Sequence, residues 1–151
     1  MSKKSASFKM TTYFDAPLDK VSELVKNVDT LYFIARPLLI FRSVKGQELS
    51  HQWTNGTYWF HLYLFRVIPL GKQAIVVSFP PSPDFQMLDD GYSRFIKQWR
   101  HMITVKKEGR GVLYEDHLQI SAGTLTYLVT VFAQLFYKHR QKRWKKLLEN
   151  K

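Results

Sequence analysis

Cysteine is absent from the chain, which excludes disulfides, thiolate nucleophiles and cysteine-bound metals at once. Acidic residues are scarce: 12 Asp and Glu stand against 23 Lys and Arg, a net charge of +11, so a charged partner is expected to be anionic. Long apolar runs are missing too. The longest helical candidate, Leu125 to Tyr137, is shorter than the about 20 residues a bilayer needs, and Thr126, Thr130 and Gln134 interrupt it. Met1 to Met10 has three lysines but no apolar run behind them, so it does not read as a secretory signal, and a cytoplasmic protein is expected. Gly-x-Ser-x-Gly, Gly-x-Gly-x-x-Gly, Walker-loop and His-Glu-x-x-His patterns do not occur. Five histidines are present, none paired at helical ligand spacing, so neither a metal nor a cofactor is expected.

What is there is aromatic and alternating. With 15% Phe, Tyr and Trp, 45% hydrophobic residues and 151 residues in all, residues 1–151 read as one domain with a real core. The last sixty residues are the most informative. Arg94–Glu108 and Gly111–Ala122 read as two long strands joined by Gly109-Arg110-Gly111, followed by a helix from about Thr124 to Asn150. A tight turn at Gly109-Arg110 sets Trp99 opposite Ile120, His101 opposite Leu118, Ile103 opposite Asp116 and Val105 opposite Tyr114, all on one face. Gln98, Arg100, Thr104, Lys106, Glu115, His117 and Gln119 occupy the other face. A sheet apolar on one side needs a cover, and the C-terminal helix is the obvious one.

Upstream, residues 7–14 alternate as a strand with Phe8, Met10, Thr12 and Phe14 on one side. A helix is expected to start at Asp15-Ala16-Pro17, capped by Asp15 or Ala16, with Val21, Leu24, Val25 and Val28 on its apolar face. A second short helix follows around Thr30–Ala35, then a strand at Leu38–Lys45. Trp59–Val67 and Gln73–Phe79 read as a hairpin bent through Ile68-Pro69-Leu70-Gly71-Lys72. Pro80, Pro81 and Pro83 break the pattern, Asp84–Leu88 reads as a short strand, and Asp89-Asp90-Gly91 as a turn. The expected class is α+β: a curved antiparallel sheet of about seven strands around a long C-terminal helix, with two short helices after the first strand. This is a helix-grip.

The order resembles the START-like SRPBCC superfamily of ligand-binding domains across essentially the whole chain. Phe14-Asp15-Ala16-Pro17-Leu18-Asp19-Lys20-Val21 is similar to that superfamily's Phe-x-Ala-Pro-x-x-x-Val approach to its first helix. Trp99-Arg100-His101, Tyr114-Glu115-Asp116-His117-Leu118 and Phe136-Tyr137-Lys138-His139-Arg140 resemble a bacterial subgroup with a Trp-x-His strand, an Asp-bearing strand and an aromatic final helix. Arg94-Phe95-Ile96 stands where the subgroup has Gly-Pro-Phe, and Ile103 where a second histidine often follows. The resemblance implies a cavity between sheet and helix and leaves its chemistry open.

On the helix, Leu125, Leu128, Val129, Phe132, Leu135 and Phe136 form a stripe that continues to His139, Arg143 and Leu147, with Thr130, Gln134, Lys138, Gln141 and Lys145 opposite. The expected function is binding or carrying of a small hydrophobic or amphipathic molecule, lined by Phe60, Leu62, Trp99, His101, Ile103, Asp116, Leu118, Phe132 and Phe136, with His139 and Arg143 at a polar end. The alternative is a cyclase-like acid–base enzyme using His101 and Asp116. Trp53, Tyr58, Trp59, Phe60, Tyr63 and Phe65 read as core or cavity lining, so nucleic acid is not the expected partner. Six basic residues between Lys138 and Lys146 allow weak contact with an anionic membrane surface. Asp116 is the lone acid of the inward set in Val112–Ile120 and needs a partner. Arg140, Arg143, His101 and His139 are the candidates, an arginine being favoured for its two-nitrogen grip.

Overall fold

The computed structural model describes residues 4–149; the expected end of the last helix at Asn150 lies outside them. The elements are β1 (Ala6–Phe14), α1 (Leu18–Lys26), α2 (Val28–Ala35), β2 (Leu39–Ser43), β3 (Gly56–Leu64), β4 (Ile68–Ser78), β5 (Phe85–Ser93), β6 (Gln98–Glu108), β7 (Gly111–Ser121) and α3 (Thr126–Glu149), the last entered through a single 3₁₀ turn at Gly123–Leu125. The seven strands form one sheet in the order β1-β7-β6-β5-β4-β3-β2, every neighbouring pair antiparallel. Thus β1 closes on the last strand rather than the second. This leaves α1 and α2 to bridge from one edge of the sheet to the other.

The long hairpin has the expected register: Trp99 faces Ile120, His101 faces Leu118, Ile103 faces Asp116 and Val105 faces Tyr114. Alternation does the rest. Val105, Tyr114, Leu118 and Ile120 are fully buried, while Lys106 and Gln119 are exposed. The strand itself begins at Gln98, not Arg94. Residues 94–97 form a loop closed by the Ser93 N–H donating to Ile96 O at 2.8 Å and the Ile96 N–H donating to Ser93 Oγ at 3.2 Å.

Two expected turns and one helix cap fall elsewhere. The β3–β4 hairpin turns at Phe65-Arg66-Val67, where Phe65 and Arg66 have φ of 51° and 73°, an unusual conformation for side chains of this size. Ile68–Lys72 belong to β4. Pro69 pairs with Tyr63 beside a register shift, in the stretch of β4 that precedes its first β5 partner at Gln73. Asp89-Asp90-Gly91, expected as a turn, lies inside β5. The Asp89 carboxylate accepts the Val76 N–H at 2.9 Å, and a Cβ on Gly91 would come within 2.5 Å of Ala74 O. The glycine there serves close strand packing. The cap of α1 is Pro17, without a side-chain bond; Asp15 instead meets Arg110 at 3.1 Å on the surface.

The helix α3 is rotated from the expected stripe. Its buried residues are Thr126, Ala133, Phe136, Tyr137, Arg140, Gln141 and Trp144, while Leu125, Leu128 and Leu135 are exposed. Gln141, assigned to the outer face from the wheel, points inward. Trp144 packs on Phe14 and Tyr114. Tyr137 packs on Phe8, Trp99 and His101. These rings anchor the helix over β1, β7 and β6, and the other half of the concave sheet is left partly uncovered.

Candidate functional site

Between α3 and strands β2–β6 lies a cavity of about 310 Å³. Its walls are apolar: Leu39, Phe41, Leu62, Leu64, Ile75, Phe132 and Phe136 among them. Leu70, Phe95, Leu125 and Leu128 reach it from exposed positions and so mark the mouth. At the opposite end, Asp89, His101 and Arg140 line both this cavity and a small hollow of about 50 Å³ that leads toward Trp53 and Trp144. Gln73 and Tyr137 complete that inner end.

Two carboxylates flank His101 there. Across β6 and β5, Asp89 is its register partner. On β7, Asp116 is its diagonal neighbour, and His101 Nε2 lies 2.6 Å from Asp116 Oδ1. Asp116 is fully buried and well supplied with donors: the Tyr114 hydroxyl donates to Oδ1 at 3.0 Å and the Gln141 amide to Oδ2 at 3.0 Å. Burial pushes its carboxyl up, but the His101 bond, the nearby Arg140 charge and the Gln141 bond outweigh it and hold the group below the ordinary value. Burial drives His101 the other way, toward the neutral imidazole, against the pull of Asp116. The pair is therefore a carboxylate accepting from a neutral ring. Gln141 also donates to Met10 O at 3.0 Å and bonds Thr12 Oγ1, which ties α3 to β1 and β7.

The expected arginine clamp on Asp116 is not formed. Histidine, tyrosine and glutamine fill the carboxylate, and no carboxylate among the described residues stands within ion-pair distance of Arg140. Arg140 is 5% exposed and its Nε has no hydrogen-bond partner among the described residues. Its guanidinium lies 4.7 Å from the Tyr137 ring centroid and 5.8 Å from that of Phe136. Tyr137, Tyr114 and Asp116 together favour its charge against the cost of burial. Asp89 is the reverse of Asp116. With one backbone donor and a cavity in front of it, burial raises its carboxyl to about 8 despite the Val76 N–H and the Arg140 charge.

Leu62, Trp99, His101, Phe132 and Phe136 of the expected lining border the cavity. Ile103 borders only the small hollow. Phe60, Leu118 and Asp116 are buried in the packing beneath it. His139 and Arg143 are turned away. His139 Nε2 pairs with Arg36 O at 2.7 Å, and Arg143 donates to Phe33 O at 3.1 Å with its guanidinium 4.0 Å over the Phe33 ring. Both fasten α3 to α2. The residues missed are Gln73, Asp89, Tyr137 and Arg140. Ala133, Tyr137, Arg140 and Trp144 share one helix face at i, i+4, i+7 and i+11, a pattern the sequence does carry. Asp89 shares strand parity with Met87, but the Asp-Asp-Gly triplet hid it.

Of the aromatic cluster, Trp53 and Phe60 are core. Trp59 lies in edge contact with Tyr92 at 5.6 Å, and Phe65 is exposed in the β3–β4 turn. No group of three or more metal-binding side chains occurs among the described residues, and no helix among them is long and apolar enough to cross a membrane.

No family model matches the sequence and no curated protein resembles it closely enough to be counted. Solved structures do match. A START superfamily protein from Mycobacterium smegmatis superposes with a TM-score of 0.70 over 95% of this chain and 97% of its own, at 11% identity. This is a START-like, SRPBCC-type helix-grip fold. Protein CV1439 from Chromobacterium violaceum gives a TM-score of 0.67 at 14% identity, covering 95% of this chain and 96% of its own. Ara h 8.0201 gives 0.57 at 9% identity, covering 92% and 97%. At such identities the likeness concerns the backbone path alone.

Proposed function

We propose that the protein binds or carries a small hydrophobic or amphipathic molecule in the cavity between its sheet and α3. The observation that supports this most is the cavity itself: about 310 Å³, apolar along its walls and polar at its inner end, where it meets Gln73, Asp89, His101, Tyr137 and Arg140, and at its rim. That volume stands at the small end of ligand pockets. The START-like neighbours have the same helix-over-sheet architecture. Native mass spectrometry of protein purified from its host tests it: a co-purifying small molecule is expected. A bare protein mass that also fails to take up an apolar fluorophore would refute it.

The second reading, a cyclase-like acid–base enzyme, is favoured by one distance, the 2.6 Å from His101 to Asp116 at the cavity wall. Incubation with a metabolite extract separates the two. An enzyme forms product and loses turnover by orders of magnitude as His101→Ala, while a binder returns its ligand unchanged and loses only affinity. Weak contact with an anionic membrane, through exposed Lys138, Lys142, Lys145 and Lys146, is also part of our reading. Retention on anionic vesicles that falls with salt checks it. A cytoplasmic location belongs to the same reading and is checked by cell fractionation.

A further inference from the structure

The inner end of the cavity holds a charge without a direct counter-charge. Arg140 projects from α3 among Phe136, Tyr137 and Trp144, and its Nε is unpartnered among the described residues. The ionised carboxylate nearest in the network, Asp116, is already occupied: Oδ1 by His101 and Tyr114, Oδ2 by Gln141. It therefore balances Arg140 through space only. Asp89, on the opposite wall, uses Oδ1 to accept the Val76 N–H, and its Oδ2 has no partner among the described residues. A buried guanidinium and a half-used carboxyl thus border one apolar hollow. Leaving polar groups unmatched in such a place is costly.

We propose that this end of the cavity takes the carboxylate of a small amphipathic acid, one oxygen received by the Arg140 guanidinium and the other by Asp89 acting as a hydrogen-bond donor, with the apolar body lying along Leu62, Phe132 and Phe136 toward the mouth. The inference rests on the reading of the cavity as a ligand site and specifies its chemistry. A monoanion matches one arginine, whereas a phosphate dianion would bring a second negative charge close to Asp116. The planar guanidinium suits a carboxylate in shape. Asp89 can donate because, with its carboxyl raised to about 8, it keeps its proton at neutral pH. The groups facing it are Asp90 on its own strand, His101 on β6 and Arg140 and Tyr137 on α3, with Asp116 on β7 beyond His101; β4 offers the Val76 N–H and uncharged Gln73. Among these, Asp90 and a bound anion both hold the proton on Asp89. Ionisation of Asp89 would place its charge directly against the ligand.

The test compares decanoate with decan-1-ol, two probes of equal chain and different head, read by the fluorescence of Trp99 in the cavity wall. At pH 7 the wild-type protein is expected to bind decanoate at least about tenfold more tightly than the alcohol. Between pH 7 and about pH 9.5 the decanoate affinity is expected to fall by about tenfold or more, the alcohol's staying level. Asp89→Asn, which has no proton to lose in this range, abolishes that fall whatever its affinity at pH 7. Arg140→Met loses the preference for decanoate and keeps the alcohol; the wild-type pH series decides the matter even if this variant does not fold. Equal affinity for both probes, or a decanoate affinity that does not change with pH, overturns the carboxylate assignment and leaves the ligand cavity standing. Failure of both probes to bind overturns the cavity reading as well.

Discussion

Two inward aspartates on either side of one histidine, Asp116 fully buried and Asp89 half-buried, have opposite surroundings. Asp116 has three side-chain donors, no exposure and a carboxyl held below its ordinary value. Asp89 has one backbone donor, borders a cavity and is raised to about 8. Removal from water raises both carboxyls, and the number of hydrogen-bond donors decides which of them ionises. A fully satisfied acid is a structural device: Asp116 fastens β6, β7 and α3 together through His101 and Gln141. A half-satisfied acid beside a cationic, half-satisfied arginine is where a ligand finds something to bond.

The largest effect expected from breaking this contrast is at Asp116. Asp116→Ala strands His101, Tyr114 and Gln141 and should cost about 3–5 kcal/mol in denaturant unfolding. A loss under about 1 kcal/mol would place Asp116 with ordinary surface acids. Phe60→Ala should cost a similar roughly 3–5 kcal/mol, because Phe60 is fully buried among Tyr32, Phe41 and Trp53.

Asp89 should act in the opposite sense. Its folded carboxyl holds a proton that the unfolded chain has already lost, so its contribution to stability is complete at acid pH and disappears as pH rises toward about 8. His101, lowered by burial, works against this below its ordinary value near 6.5 and adds nothing above it. Between roughly pH 6.5 and 8 the wild-type protein should therefore lose stability by up to about 1.4 kcal/mol per pH unit. Asp89→Asn should remove that slope and raise the melting temperature at the alkaline end. The smallest effect belongs to the mouth: Leu128→Ser, at an exposed position on α3, should change stability by no more than about 0.5 kcal/mol while altering ligand uptake.

The sequence carried this molecule unevenly. Alternation in 98–121, with a glycine turn, determines register, because a slip of one residue would expose every apolar side chain. That is why His101 and Asp116 could be set side by side in advance. Helix rotation is set less firmly. Leu125, Leu128 and Leu135 gave a convincing stripe, yet the aromatic weight of Tyr137 and Trp144 turned α3 until those leucines faced outward and Arg140 and Gln141 inward. The turn residues were similarly deceptive. Asp89-Asp90-Gly91 has turn composition, but its aspartate replaces a ladder carbonyl and its glycine admits the neighbouring strand. Charge partners followed from that rotation, so Arg143 met Phe33 and not the sheet.

The central claim is that one aspartate is structural and ionised while the other is proton-bearing and available. A carbon-13 NMR titration of the aspartate carboxyls, with Asp89 and Asp116 assigned through their Asn variants, reads both groups in one sample. The account predicts that Asp89 titrates near 8 and Asp116 below its ordinary value. Two aspartates titrating together in the ordinary carboxylate range would contradict it.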